Sequence, residues 1–348
     1  MNKKTMKVRK KHKKAVERTK AKQRASLAKK KTCPPCEATP WPPRCLSCMT
    51  MAIPSVLIPA VPLNLVYRFG SREYDLSART HIMGILTVTP DSFSDGGRYL
   101  TVSRAVEHAL AMAEEGADFI DVGGESTRPK GSAYGEGSDP VGAQEELDRV
   151  LPVIEEIVKR TEVPVSIDTT KSSVARASLA AGAVIVNDIS GFTFDPAMPE
   201  VVAAGGASAV VMHIRGTPKT MQAAPVYDDL FAEIISRLQE AVRKGTSQGV
   251  KQMIVDPGIG FGKTAADNFR LLAGLRRFAV LGRPLLVGPS RKSFLAGASR
   301  LPPQERLEGT LAAAAVAVLH GAQIVRVHDV RETVRATTIA DAVLRAAS

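Results

Sequence analysis

HIMGILTVTPDSFSDGGRYLTVSRAVEHALAMAEEG, residues 81 to 116, holds one complete unit of the fold. Its opening run is mostly apolar as far as Val88, as in a parallel strand buried on both faces. A turn rich in glycine and polar residues follows. The helix after it carries Val102, Ala105, Val106, Ala109, Met112 and Ala113 on one face, with Gly116 where a C-cap belongs. Working outward, the same rhythm of short Val/Ile-rich strand and helix-length amphipathic segment recurs to the end of the chain. Strands are predicted at 81–88, 119–123, 163–168, 184–188, 209–213, 253–256, 284–288 and 324–328.

Eight such units in alternation imply parallel pairing with right-handed crossovers. An α/β arrangement of this kind closes as a (β/α)8 TIM barrel more naturally than it spreads, and an open doubly wound sheet is the second reading. The barrel is expected over 63–348. Residues 1–62 read as a basic, Lys-rich and then Cys/Pro-rich extension, disordered by itself.

The charge divides along the same boundary. The first fifty residues hold 16 Lys and Arg against two Glu, or +14, so of the formal net charge of +12 the remainder carries −2. A polyanion partner is therefore expected at the arm and not at the barrel. The four cysteines, Cys33, Cys36, Cys45 and Cys48, all lie in the extension, which argues for a reducing cytoplasm. Their paired CxxC spacing also suits a tetrahedral zinc, although the proline-rich surroundings offer little to support one. The apolar stretch Met51 to Val66 is short for a membrane span and contains Pro54, Pro59 and Pro62, so no membrane association is expected. The leading segment lacks the layout of a secretory signal, and Met51 is an alternative start. The helix over 311–319 is apolar all round, which points to cover by a second subunit and a homodimer.

In a barrel of this kind, reactive groups sit at the C-terminal strand ends. This sequence puts Thr87, Asp121, Asp168, Asn187, Asp188, His213, Asp256, Ser290, Lys292, Arg326 and His328 there. Any one Asp at such a place reads equally well as the cap of the next helix. The convergence of six or more on one mouth is what argues for a site. Asp168, Asn187 and Asp256 suit a planar heterocycle with several N–H groups, and Arg326 and His328 suit a polyanion. A nitrogen heterocycle carrying phosphate is expected, with the cations opposite the carboxylates. His213, alone after an apolar run, reads as a structural residue and is left unassigned.

The motifs ILTVTPDSFSDGG, VGGESTRP, VSIDTTK, VNDISG, VMHIRGTPKTM, VDPGIGFGK, LLVGPSRKSFL and RVHDV, in this order from about residue 81 to 330, resemble the signatures of dihydropteroate synthases. The resemblance implies condensation of a dihydropterin pyrophosphate with p-aminobenzoate. It assigns Asp168, Asn187, Asp256 and Lys292 to the pterin ring, with Met212 and Phe261 against its faces. Arg326, His328 and Mg²⁺ would receive the pyrophosphate, and Ser290, Thr127, Arg128, Pro129 and Phe93 would frame p-aminobenzoate. Lys292, Arg326, His328 and Asp95 form the implied catalytic set, acting mainly by stabilising the leaving group. The loops at 89–99 and 124–134 are expected to close over the second substrate. Thr87 departs from the family's ILNVTPDSF, where an asparagine helps hold the metal; a threonine hydroxyl can ligate Mg²⁺ but reaches a different point. Lys130 likewise stands where the family pattern is PGA. Rival readings are a pterin-dependent methyltransferase, which would not need the pyrophosphate set, and a catalytically weakened barrel serving as scaffold for a nucleic-acid-binding arm.

Overall fold

The computed structural model describes residues 65–89, 97–126, 140–296 and 301–347. Two short antiparallel strands, β1 (Val66–Phe69) and β2 (Arg72–Asp75), come first. Eight parallel strands follow: β3 (His81–Thr87), β4 (Phe119–Gly123), β5 (Val165–Asp168), β6 (Ile185–Asp188), β7 (Ser208–Met212), β8 (Met253–Asp256), β9 (Leu286–Val287) and β10 (Ile324–Val327). A helix succeeds each in turn: α1 (Gly97–Glu114), α2 (Ala143–Arg160), α3 (Ser172–Ala180), α4 (Met198–Ala204), α5 (Leu230–Ser247), α6 (Ala265–Ala273), α7 (Leu307–Leu319) and α8 (Val330–Ala347). The pairing runs β8-β7-β6-β5-β4-β3-β10-β9, and a parallel bridge between Val255 and Leu285 joins the two ends. This is the (β/α)8 barrel that the alternation of elements predicts.

Strand geometry sorts the apolar residues into two populations, because neighbouring side chains on a strand point to opposite faces. Ile82 and Leu86 of β3, Ile120 and Val122 of β4, and Val186 of β6 join the outer core under the helices. Met83, Phe119, Ile185, Val210, Ile254, Leu286 and Ile324 face inward and form a second cluster with Tyr67, Phe69 and Leu76. The β1–β2 hairpin therefore stoppers the N-terminal end of the barrel. Tyr67 Oη donates to the Met253 carbonyl at 3.0 Å, and the Phe69 ring meets Phe119 edge-on with centroids 4.9 Å apart.

The strand predictions hold to within two residues at each end, and the larger differences have local causes. β5 begins only at Val165, after Pro164, which has no N–H to give to the ladder. The predicted strand at 284–288 shrinks to Leu286–Val287 because Pro284, Gly288 and Pro289 flank it. The hairpin is absent from the predicted strands: each arm has only four residues, two of them exposed in the first and three in the second, so no long apolar run marks it.

Candidate active site

Inward-facing positions near the C-terminal ends of the strands carry the polar residues. The parallel register sets Thr87 beside Gly123, Gly123 beside Asp168, and Asp168 beside Asn187. On the next pair Met212 lies beside Asp256. Gly123 contributes no side chain to this row, and a Cβ there would lie 3.5 Å from Asp168 Cβ. The row is therefore open between Thr87 and Asp168.

Arg326, inward on β10, reaches across the barrel past two strands. Its Nε donates to Asp121 Oδ2 at 2.6 Å and its Nη2 to Asp168 Oδ2 at 2.7 Å, while Asn187 Nδ2 donates to Asp121 Oδ2 at 2.8 Å. Asp121 Oδ1 is buried with no partner among the described residues. Two carboxylates thus share one guanidinium. Burial pushes Asp168 up to about 7 against the pull of Arg326, with Asp121 adding to the rise. Burial works against the charge on Arg326, but Asp121 and Asp168 outweigh it and hold its pKa above the ordinary value. The expectation that the cations stand opposite the carboxylates is corrected here: the long Arg326 side chain lies among them, because strands on either side of β3 and β4 face one another across the interior.

A second group gathers on β8 and the loops after it. Asp256 Oδ1 accepts from Gly258 N at 2.7 Å, and burial raises its pKa while Gly258 N and Lys292 oppose the rise. Lys292 Nζ donates to the Ile259 carbonyl at 2.6 Å and stands 3.9 Å from the centre of the Phe261 ring. Burial draws its pKa down to about 7, with Asp256 pulling the other way. Ser290 Oγ contacts His328 Nδ1 at 2.9 Å and accepts from His328 N at 3.2 Å, tying the loop after β9 to the end of β10. Arg291, at φ 55°, is braced by Asp329, to which its Nε donates at 3.1 Å, and by Thr310 Oγ1, which accepts from its backbone N.

Of the residues singled out in the sequence, Thr87, Asp168, Asn187, Met212, Asp256, Phe261, Ser290, Lys292, Arg326 and His328 are all on these strand ends or the loops after them. Phe93, Asp95, Thr127, Arg128 and Pro129 lie outside the described residues, as do Lys130, the four cysteines and most of the two loops expected to close. Asp121 and Lys263 are central to the bonding but had no assigned role. For Asp121 the signal was present: it has the same parity as inward-facing Phe119, two residues earlier on β4.

Acceptors, an amide, apolar side chains and several cations are thus collected at the C-terminal mouth of a parallel (β/α)8 barrel, where enzymes of this fold carry their active sites. A family profile described as "Pterin binding enzyme" matches residues 83–328. The dihydropteroate synthase of Escherichia coli K12 is 47% identical over 274 residues, 78% of this chain and 94% of that protein. Among solved structures, the Yersinia pestis dihydropteroate synthase with a sulfonamide drug superposes with a TM-score of 0.74 at 44% identity, over 80% of this chain and 99% of that one. The Xanthomonas albilineans enzyme with 4-aminobenzoic acid gives 0.73 at 43%, over 80% and 98%. The chain belongs to the dihydropteroate synthase family, transferases of folate synthesis.

Proposed function

We propose that the mouth of this barrel joins 6-hydroxymethyl-7,8-dihydropterin pyrophosphate to p-aminobenzoate, with Asp168, Asn187, Asp256 and Lys292 holding the pterin between Met212 and Phe261. The observation that carries this assignment is the grouping of carboxylate and amide acceptors in one inward-facing row, with Lys292 over an aromatic ring beside it. The bond from the pterin methylene to the pyrophosphate oxygen breaks and its electron pair leaves with pyrophosphate. The arylamine nitrogen then bonds to the methylene carbon and gives up a proton. An arylamine of low basicity is already neutral near pH 7, so no dedicated base is required. Arg326 and His328 are proposed to take up the charge of the departing group. Ser290, with Phe93, Thr127, Arg128 and Pro129, is proposed to frame p-aminobenzoate, which the X. albilineans relative holds, and Asp95 to complete the catalytic set.

Mg²⁺ is proposed as cofactor at Thr87. Such an ion is held mostly by water and phosphate oxygens with one or two protein ligands. Inward-facing Thr87 supplies one hydroxyl, and the ion would neutralise pyrophosphate charge. A homodimer is proposed through α7 and α8, where Val316, Ile339 and Val343 are exposed apolar residues; sedimentation equilibrium of the full chain tests it. No helix among the described residues is long and apolar enough to cross a membrane. The cytoplasm is the proposed location, with the extension as a polyanion contact.

Pyrophosphate release from the pterin substrate, with and without p-aminobenzoate and across a range of Mg²⁺, tests the chemistry. Release that needs both substrates is the expected result, and Thr87→Asn should lower the Mg²⁺ concentration for half-maximal rate. No release at any Mg²⁺ would leave the weakened-scaffold reading in its place.

A further inference from the structure

The loop from Asp256 to Lys263 is laid directly on the residues that follow β7. Gly258, at φ 70°, leaves room where a Cβ would fall 1.9 Å from the His213 carbonyl oxygen, and Gly262, at φ 65°, does the same 2.7 Å from the Arg215 carbonyl oxygen. His213 N closes the seam by donating to the Asp256 carbonyl at 3.0 Å. Within it lies Lys263, only 2% exposed. Its Nζ donates to the Phe261 carbonyl at 2.9 Å and the His213 carbonyl at 3.3 Å, and meets His213 Nδ1 at 3.0 Å.

In either protonation state Nζ has a proton for each of the two carbonyls, and as an ammonium it has a third for the ring nitrogen. Burial, with the charge of Lys263 behind it, draws His213 down to about 2, so the ring is neutral and its Nδ1 can accept. Lys263 itself is drawn well down by burial, and Asp256 opposes this. No step of the proposed chemistry uses Lys263. Its partners are nonetheless the residue after Met212 and the backbone of Phe261, the two residues assigned to opposite faces of the pterin.

We infer that Lys263 is a positioning residue for the pterin pocket, fixing the gap between Met212 and the Phe261 ring by bonding the His213 carbonyl and ring to the Phe261 carbonyl. The inference rests on the pterin assignment proposed above. An apolar residue of similar length would fill the same space, but it would leave two buried carbonyls without a donor and free the loop to shift.

The test is equilibrium binding of 6-hydroxymethylpterin to the full chain, followed by pterin fluorescence, for the wild type, Asp256→Asn, Phe261→Ala, Lys263→Met and the Lys263→Met/Phe261→Ala pair. Lys263→Met should weaken pterin binding about tenfold while leaving the KM for p-aminobenzoate unchanged. If Lys263 acts through Phe261, the double variant should bind no more weakly than Phe261→Ala alone. A general loss of packing would instead make the two losses add, and additive losses, or an unchanged affinity in Lys263→Met, overturn the inference. Should Lys263→Met not fold, Lys263→Gln keeps two N–H donors and is read by the same comparison, with a smaller loss that again vanishes beside Phe261→Ala. If the wild type binds no pterin, or Asp256→Asn binds as well as the wild type, the pterin assignment fails and the inference goes with it. If Asp256→Asn loses affinity and Lys263→Met does not, the inference alone fails.

Discussion

Arg326 is the side chain on which the most charge depends, since Asp121 and Asp168 share it and no other cation bonds either carboxylate among the described residues. Removing one partner of a buried ionic group leaves the rest uncompensated, which typically costs about 3–5 kcal/mol. Arg326→Met should lose stability of that order in urea unfolding and abolish turnover. Arg326→Lys keeps the charge but gives up the fork that reaches two carboxylates at once. It should recover part of the stability and little of the rate, and full activity in that variant would contradict the leaving-group role. Lys292 gives a second prediction, through pH. Its folded pKa of about 7 lies below the ordinary 10.5, so between these values the unfolded chain holds a proton that the folded chain lacks. Stability from this group therefore rises with pH across that window. Lys292→Met lacks the group, so denaturant unfolding below pH 7 and again near 10.5 should find the balance between the two proteins moving toward the wild type. A gap independent of pH would show that the ammonium is better solvated than its surroundings imply.

Among the loops, glycines separate close approach from simple turning. Gly258→Ala must displace either the loop or the His213 carbonyl, as well as hold an alanine at φ 70°; a loss above about 3 kcal/mol and of pterin binding is expected. Gly206, at φ 61° with nothing within 4 Å of its missing Cβ, meets only the backbone term. Gly206→Ala should cost about 1–2 kcal/mol and leave binding intact. Equal losses in the two would mean that the apposition of the β8 loop on His213 is not what holds the pocket. The strands themselves were legible because β-branched runs buried on both faces look alike wherever they occur, and their place at the C-terminal strand ends picked out Asp168, Asn187, Asp256 and Arg326. What the sequence does not carry is reach across the interior. Nothing near Arg326 in the chain says that it ends on Asp121 and Asp168, 205 and 158 residues away. Lys263 hides for the same reason: beside glycines in a loop it looks solvated, and only the fold lays that loop on His213.

The chain taken as one polyelectrolyte is divided: +14 in its first fifty residues and −2 over everything after them. A reaction between two small substrates at the mouth of a barrel makes no use of such an arm, so its charge has to be explained by a different contact or by none. Phosphate neutralisation gives a quantitative handle, since each neutralised phosphate releases counterions and steepens the dependence on salt. If the arm engages six or more phosphates, affinity for a duplex or for single-stranded nucleic acid should fall by about a thousandfold or more between about 50 and 200 mM salt, with little dependence on sequence. A chain begun at Leu63 keeps the β1–β2 hairpin that stoppers the barrel and discards the arm. It should keep full turnover and lose the nucleic-acid binding altogether, because a barrel of charge −2 has no field to attract a polyanion. Binding that survives the truncation would place the contact on the barrel. No binding by the full chain even at low salt would leave the arm as a solvated extension with no part in recognition.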